Sequence, residues 1–201
     1  MNTEKKFIGL KEVVAIVLFS VLTIVVGMVT GIPFMASPTW SVLGGYSLMS
    51  LINGMIYVLM ITKSPVRGTN LLFFGVKVLY VLLLGAVPTA LVYLVGAILC
   101  EAIVWNNGYQ KPVVAGISYS LHNVIFGIGS FTPMILNPES YAQQMRDYGL
   151  EEEMVQEMVY GLVEPGFMAL ATLLIVISSV VGMFIGVKMM KKHFQPAGVA
   201  S

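Results

Sequence analysis

Six apolar runs, over residues 13–30, 39–62, 70–85, 88–105, 113–136 and 165–187, alternate with short polar breaks along the chain. All six are read as membrane-crossing helices, which typically run to about 20 mostly apolar residues. The fifth run is patterned most strongly. Ser118, Tyr119, His122, Asn123, Phe126, Gly129, Ser130 and Pro133 recur at helical spacings, while Ile117, Leu121, Val124, Ile128, Phe131 and Ile135 fall on the opposite side. A histidine beside an asparagine is costly in hydrocarbon unless both turn inward, so this helix is expected to line an internal cavity.

The other runs are patterned to surround it. The second carries Tyr46, Ser50, Asn53 and Tyr57 on one face and Gly44, Gly45 and Gly54 for close approach; the sixth carries Ser178, Gly182 and Gly186 at four-residue spacing. Lys77 in the third run and Glu101 in the fourth are expected to pair across an antiparallel hairpin, as a register-fixing ion pair or as part of a transport path. After the first run, Gly31, Pro33 and Pro38 break the helix between Phe34 and Trp40, a boundary loop. Residues 137–164 form the one substantial polar segment. Asn137 before Pro138 starts a helix, Gly149 divides the segment, and Leu150, Met154, Val155, Met158, Val159 and Leu162 oppose Glu151, Glu152, Glu153 and Glu157. This amphipathic acidic pair reads as a lid over the cavity or as a tether with a solvated face.

Composition agrees with the pattern. At 57% hydrophobic, 10% charged and a mean hydropathy of +0.87, the 201 residues lack the polar surface a soluble domain requires. No basic nucleic-acid patch occurs, and Cys100 alone makes neither a disulfide framework nor a thiol metal site. Lys5, Lys6, Lys11, Lys63, Arg67, Lys111, Lys188, Lys191 and Lys192 fall at one set of run ends, with only Arg146 opposite. The bias of cations toward the cytoplasm then predicts both termini inside and the acidic segment outside, consistent with six spans. The first run resembles a signal peptide in its basic flank but is longer than such a core and lacks a small-x-small cleavage site, so it is taken as span one. The expectation is an all-α integral membrane protein, a single domain over residues 1–201, multi-pass in a bacterial plasma membrane.

Chemistry is sparse. There is no G-x-x-x-x-G-K-[ST], no H-E-x-x-H, no Gly-x-Ser-x-Gly and no pair of intramembrane carboxylates, so the chain is not expected to be an enzyme. A substrate-binding membrane subunit powered by another protein fits better than an ion-driven carrier, which would carry more embedded acids. The 14 methionines suggest either adaptable packing or, with His122 as axial ligand, haem.

The basic start, six spans with the third and fourth tightly joined, the acidic segment before the sixth, and the ending KMMKKHFQPAGVA, with Lys191, Lys192, His193, Phe194, Ala197 and Gly198, resemble the Trep_Strep, or MptD-type, family of energy-coupling factor (ECF) transporter substrate-binding (S) components. That resemblance implies capture of a vitamin-like micronutrient outside and docking onto a transmembrane coupling protein with two ATPases, which hydrolyse the ATP. It implies no cofactor of the chain's own and no resident metal. In such components the first helix carries Ala-x-x-x-Ala for docking; here Ala15 is followed by Phe19, and these two mark the expected docking face. The implied cargo site lies beneath the first loop and the acidic segment, with Phe34, Trp40, Tyr93, Tyr119, His122, Asn123 and Phe126 as candidates. Each also has a plainer role, His122 and Asn123 as interhelical ties and Trp40 as an interface anchor. The alternatives are a stand-alone ion-coupled carrier or small membrane enzyme, and a structural partner subunit.

Overall fold

The computed structural model describes residues 8–106 and 108–194, without the side chains of His193 and Phe194; Lys5, Lys6, Ala197 and Gly198 lie outside the described residues. Helix α1 spans Leu10–Gly31, its start held by Glu12, whose carboxylate accepts from the Gly9 N–H at 3.1 Å. A short turn at Pro33 leads into α2, Pro38–Lys63, whose first part, Ser41–Tyr46, is wound as a wider π-turn. Helices α3 (Thr69–Leu83) and α4 (Val87–Val104) form a tight antiparallel hairpin through Gly85, at φ +79°.

Helix α5 is Pro112–Ser130, and here the structure corrects the expected fifth span. The helix stops at Ser130, and a five-residue α6, Thr132–Leu136, sets off separately. Pro133 has no N–H to bond the carbonyl a turn earlier, and its ring crowds that turn, so one continuous rod to Leu136 is excluded. The acidic segment is α7 (Pro138–Asp147), capped by Asn137, then α8, Glu152–Gln156 continuing as a wider turn through Gly161; Gly149 at φ +83° turns the chain between them. Helix α9 is Pro165–Met189. Among the described residues there is no strand.

Five of these helices are long and apolar enough to cross a membrane, against the six expected; α3 is apolar but shorter. Its 15 residues rise about 22 Å, less than the ~30 Å hydrocarbon core. The six apolar helices pack as a closed ring in the order α1, α2, α9, α5, α4, α3 and back to α1. The ring's interior is aromatic and polar, with Tyr57, Phe73, Phe74, Tyr119 and His122 all under 2% exposed. Its outer surface is apolar, so the polar stripes seen in the sequence do turn inward.

The tightest seam joins α2 to α9, where backbones touch. A Cβ on Gly54 would lie 2.9 Å from the Gly182 carbonyl carbon, one on Gly186 3.0 Å from the Met55 Cα, and one on Gly182 would overlap the Leu51 carbonyl oxygen. Ser179, fully buried, sits on this seam, whereas Ser178, expected there, is only half-buried. A methyl group at 182 has no flexible neighbour to displace, so the helices must part. Gly182→Ala is expected to destabilise the protein by about 1–3 kcal/mol. Gly75→Ala, with nothing within 4 Å, should be neutral or slightly stabilising. Thermal melting of both variants in detergent checks this; equal melting temperatures would refute the close seam.

Candidate functional site

At the end of the ring that carries α6–α8, a chamber of about 480 Å³ opens between the start of α2 and the acidic segment. Its polar wall is made of Ser41, Tyr46, Ser130 and Tyr141; Met35, Met134, Met154 and Met158 supply soft apolar surface. The π-wound start of α2 shapes one side. Phe34 packs its ring onto Gly44, where any Cβ would overlap it, and the Phe34 carbonyl accepts from Ser41 Oγ at 2.7 Å. The chamber roof is tied to the first loop by one carboxylate: Glu157 Oε1 accepts from Ser37 Oγ at 3.2 Å and from the Thr39 N–H at 3.0 Å. Hydrogen bonding from Thr39 first and Ser37 after it holds the Glu157 carboxyl below its ordinary 4.5. Within the roof, Arg146 donates twice to Glu152, at 2.8 and 2.9 Å, and lowers that carboxyl to about 2.

Beneath the chamber an aromatic column descends the ring axis. Tyr46 meets Phe126 edge-on at 6.2 Å; Phe126 stacks on Tyr93 at 4.8 Å, and the Tyr93 hydroxyl donates to the Phe126 carbonyl at 2.9 Å. Below Phe126 lie His122 and Lys77, with Nζ 3.3 Å from Nε2. The His122 ring stacks on Phe74, while Lys77 Nζ stands 5.3–5.9 Å from the ring centres of Phe73, Phe74 and Phe126.

The expected Lys77–Glu101 ion pair does not form. In a hairpin turning at Gly85, Glu101 falls beside the first turn of α3, and Lys77 lies about 9 Å further along the axis, six residues beyond Leu71. Glu101 instead caps α3, accepting from the N–H groups of Gly68, Asn70 and Leu71 at 2.8, 3.1 and 3.2 Å and from the Tyr109 hydroxyl. These are backbone donors that no helical carbonyl can reach.

One family model matches residues 10–195, that of the Trep_Strep "hypothetical bacterial integral membrane protein". The chain belongs to the Trep_Strep family. No curated protein and no solved structure gave a match.

In this Trep_Strep protein the expected site residues separate into three groups. Tyr93, His122 and Phe126 come together in the column under the chamber. Phe34 packs against Gly44 and does not line the chamber, and Trp40 is 61% exposed on the outer surface. Tyr119 and Asn123 face elsewhere: the Tyr119 hydroxyl donates to the Ser50 carbonyl at 2.7 Å, and Asn123 Nδ2 donates to Ser179 Oγ at 3.0 Å, tying α5 to α2 and α9. Lys77 Nζ occupies the Nε2 of His122, Phe74 covers its ring face, and its Nδ1 is buried without a hydrogen-bond partner. Ala15 and Phe19 are half-buried, Phe19 against the main core, while Val14, Leu18, Val21 and Val25 face outward on α1. Sequence reasoning missed the chamber wall itself. Tyr46 and Ser130 stood on the inward stripes, but Ser41 and Tyr141 sat in segments without an apparent cavity-facing pattern.

The Glu157 tie has a definite pH dependence. A carboxyl held below 4.5 when folded contributes stability that is complete above that value and is lost as the pH falls through the folded value. In a Trp105→Phe background, the emission of Trp40, next to Thr39, is expected to shift as the pH is lowered from 6 to about 3, and Glu157→Gln should remove that titration. An identical shift in both proteins would show that Glu157 does not hold the roof.

Proposed function

We propose that this protein is the substrate-binding S component of an ECF-type importer, taking a micronutrient of vitamin size into the chamber under the acidic segment. The observation that carries the proposal is the chamber itself, roofed by α7 and α8 and latched by Glu157 onto the first loop. A volume of about 480 Å³ falls in the ~300–1,000 Å³ range of small-molecule sites, and a few convergent hydroxyls within apolar walls is their usual chemistry. The distribution of Lys11, Lys63, Arg67, Lys111, Lys188, Lys191 and Lys192 supports an orientation with this chamber outside and both termini in the cytoplasm. On this reading a coupling protein and two ATPases supply the energy and dock on α1 around Ala15 and Phe19, beside the outward-facing Leu18.

Coexpression with such a module should give a stable complex and ATP-dependent uptake into liposomes. Purified alone, the protein should retain a small molecule in native mass spectrometry. Met158→Trp, which fills the chamber, is expected to remove that molecule while costing no more than about 1 kcal/mol of stability. Retention of the molecule by Met158→Trp would move the site out of the chamber.

One observation favours a second reading. Lys77 and His122 place two titratable groups in contact midway along the bundle, as a proton-coupled carrier working alone would require. That reading predicts uptake by the isolated chain in a proton gradient, abolished by Lys77→Met. Absence of any gradient-driven uptake by the wild-type chain removes it.

A further inference from the structure

The opposite, basic end of the ring holds two cavities that share a wall. A lateral groove of about 630 Å³ runs between α5 and α9, lined by Val113, Gly116, Val124, Val176, Val180 and Phe184 among others. A second cavity of about 400 Å³ is lined by Thr62, Tyr109, Gln110 and Lys191, and Pro112, Met183 and Val187 belong to both. The combined space is therefore apolar along its length and polar at the basic end. From Pro112 to Val124 the groove follows α5 for about 18 Å, slightly more than the ~15 Å hydrocarbon depth of one leaflet.

Charge is arranged to match. Lys188 Nζ lies 5.0 Å from the centre of the Phe184 ring on the groove lip, Lys191 lines the second cavity, and Lys111 directly precedes Pro112. No acidic residue lines either cavity, and among the described residues the one salt bridge is Arg146–Glu152 at the far end. The groove mouth is set among side chains that face the bilayer, with Val113 75% and Phe184 62% exposed. An apolar trough open to hydrocarbon under lysines that pair with no acid among the described residues fits an amphiphile with a negative head.

We propose that this paired cavity binds one anionic phospholipid, with an acyl chain in the α5–α9 groove and the phosphate among Lys111, Lys188 and Lys191. The site is independent of the chamber and of the cargo it takes. Bound lipid braces α5 against α9 at the end where Asn123–Ser179, the hydrogen bond joining them, lies two turns or more away.

Native mass spectrometry of the purified chain in detergent, titrated with phosphatidylglycerol or phosphatidylcholine, tests the proposal. A single phosphatidylglycerol adduct is expected, bound at least about fivefold more tightly than phosphatidylcholine. The double variant Lys188→Gln/Lys191→Gln, altered only at exposed positions, should bring the two lipids level. Gly116→Leu should remove both adducts, because a Cβ there meets only the flexible end of Met183 at 3.9 Å and the longer side chain fills the groove. Circular dichroism reports whether that variant is folded; if it is not, the lysine variant decides alone. Equal binding of the two lipids by the wild type overturns the proposal. So does an adduct that survives in folded Gly116→Leu, or a dimer that this variant dissociates, which would make a second copy the occupant.

Discussion

A bilayer offers no hydrogen bonds, so a polar side chain in these helices has to find a partner within the protein, in its own helix or in a neighbour. The ring supplies many of the partners that a single helix cannot. Asn53 Nδ2 on α2 donates to the Thr23 carbonyl of α1 at 3.1 Å; the Tyr57 hydroxyl reaches Asn70 on α3, and Asn70 passes the network to Ser118 on α5 at 2.8 Å. Tyr119 and Asn123 then close α5 onto α2 and α9. Apolar packing alone gives lipid-facing helices little reason to choose one neighbour over another, since acyl chains compete equally well. The polar ties and the glycine seam between α2 and α9 make that choice.

The two charged groups inside the ring are handled in different ways. Glu101 is surrounded by backbone donors from the first turn of α3, so a buried carboxylate and an uncapped helix start resolve each other. That also accounts for where α3 begins, after Gly68 in its left-handed conformation at φ +92°. Lys77 has no carboxylate in contact among the described residues. Its ammonium is set against three aromatic rings and a histidine nitrogen, a softer environment that leaves the charge only partly compensated. It lies at the foot of the aromatic column, within 5.3 Å of the Phe126 ring centre.

The ends of the ring differ in construction. At the acidic end the helices are roofed by a segment held through exposed or half-exposed polar contacts, the kind that open readily in water. At the basic end no roof is built among the described residues. Tyr109 and Glu101 stitch the loops inward, and the lysines remain outside around an open groove. A roofed chamber at the acidic end and an apolar groove at the basic end make the two ends of the ring different.

Much of this was written in the order of residues. The apolar runs, their inward stripes, the acidic roof and the sidedness of the cations follow from period and charge, which are local properties that solvent acts on whatever the final packing. The aromatic stripe of α5 was legible too, in the spacing of Tyr119, His122 and Phe126. Other features required the assembled ring. Glu101 pairs with backbone rather than with Lys77 because hairpin geometry, not composition, sets which residues lie level. Asn123 serves α9 and His122 serves α3, although they are adjacent, because neighbouring residues on a helix point about 100° apart and meet different partners. Ser41 and Tyr141, far apart in sequence, form one wall only once α2 and α7 are brought together. The sequence by itself determined which faces avoid lipid; the tertiary structure decided what each of those faces meets, since that depends on distances between helices that no single segment encodes.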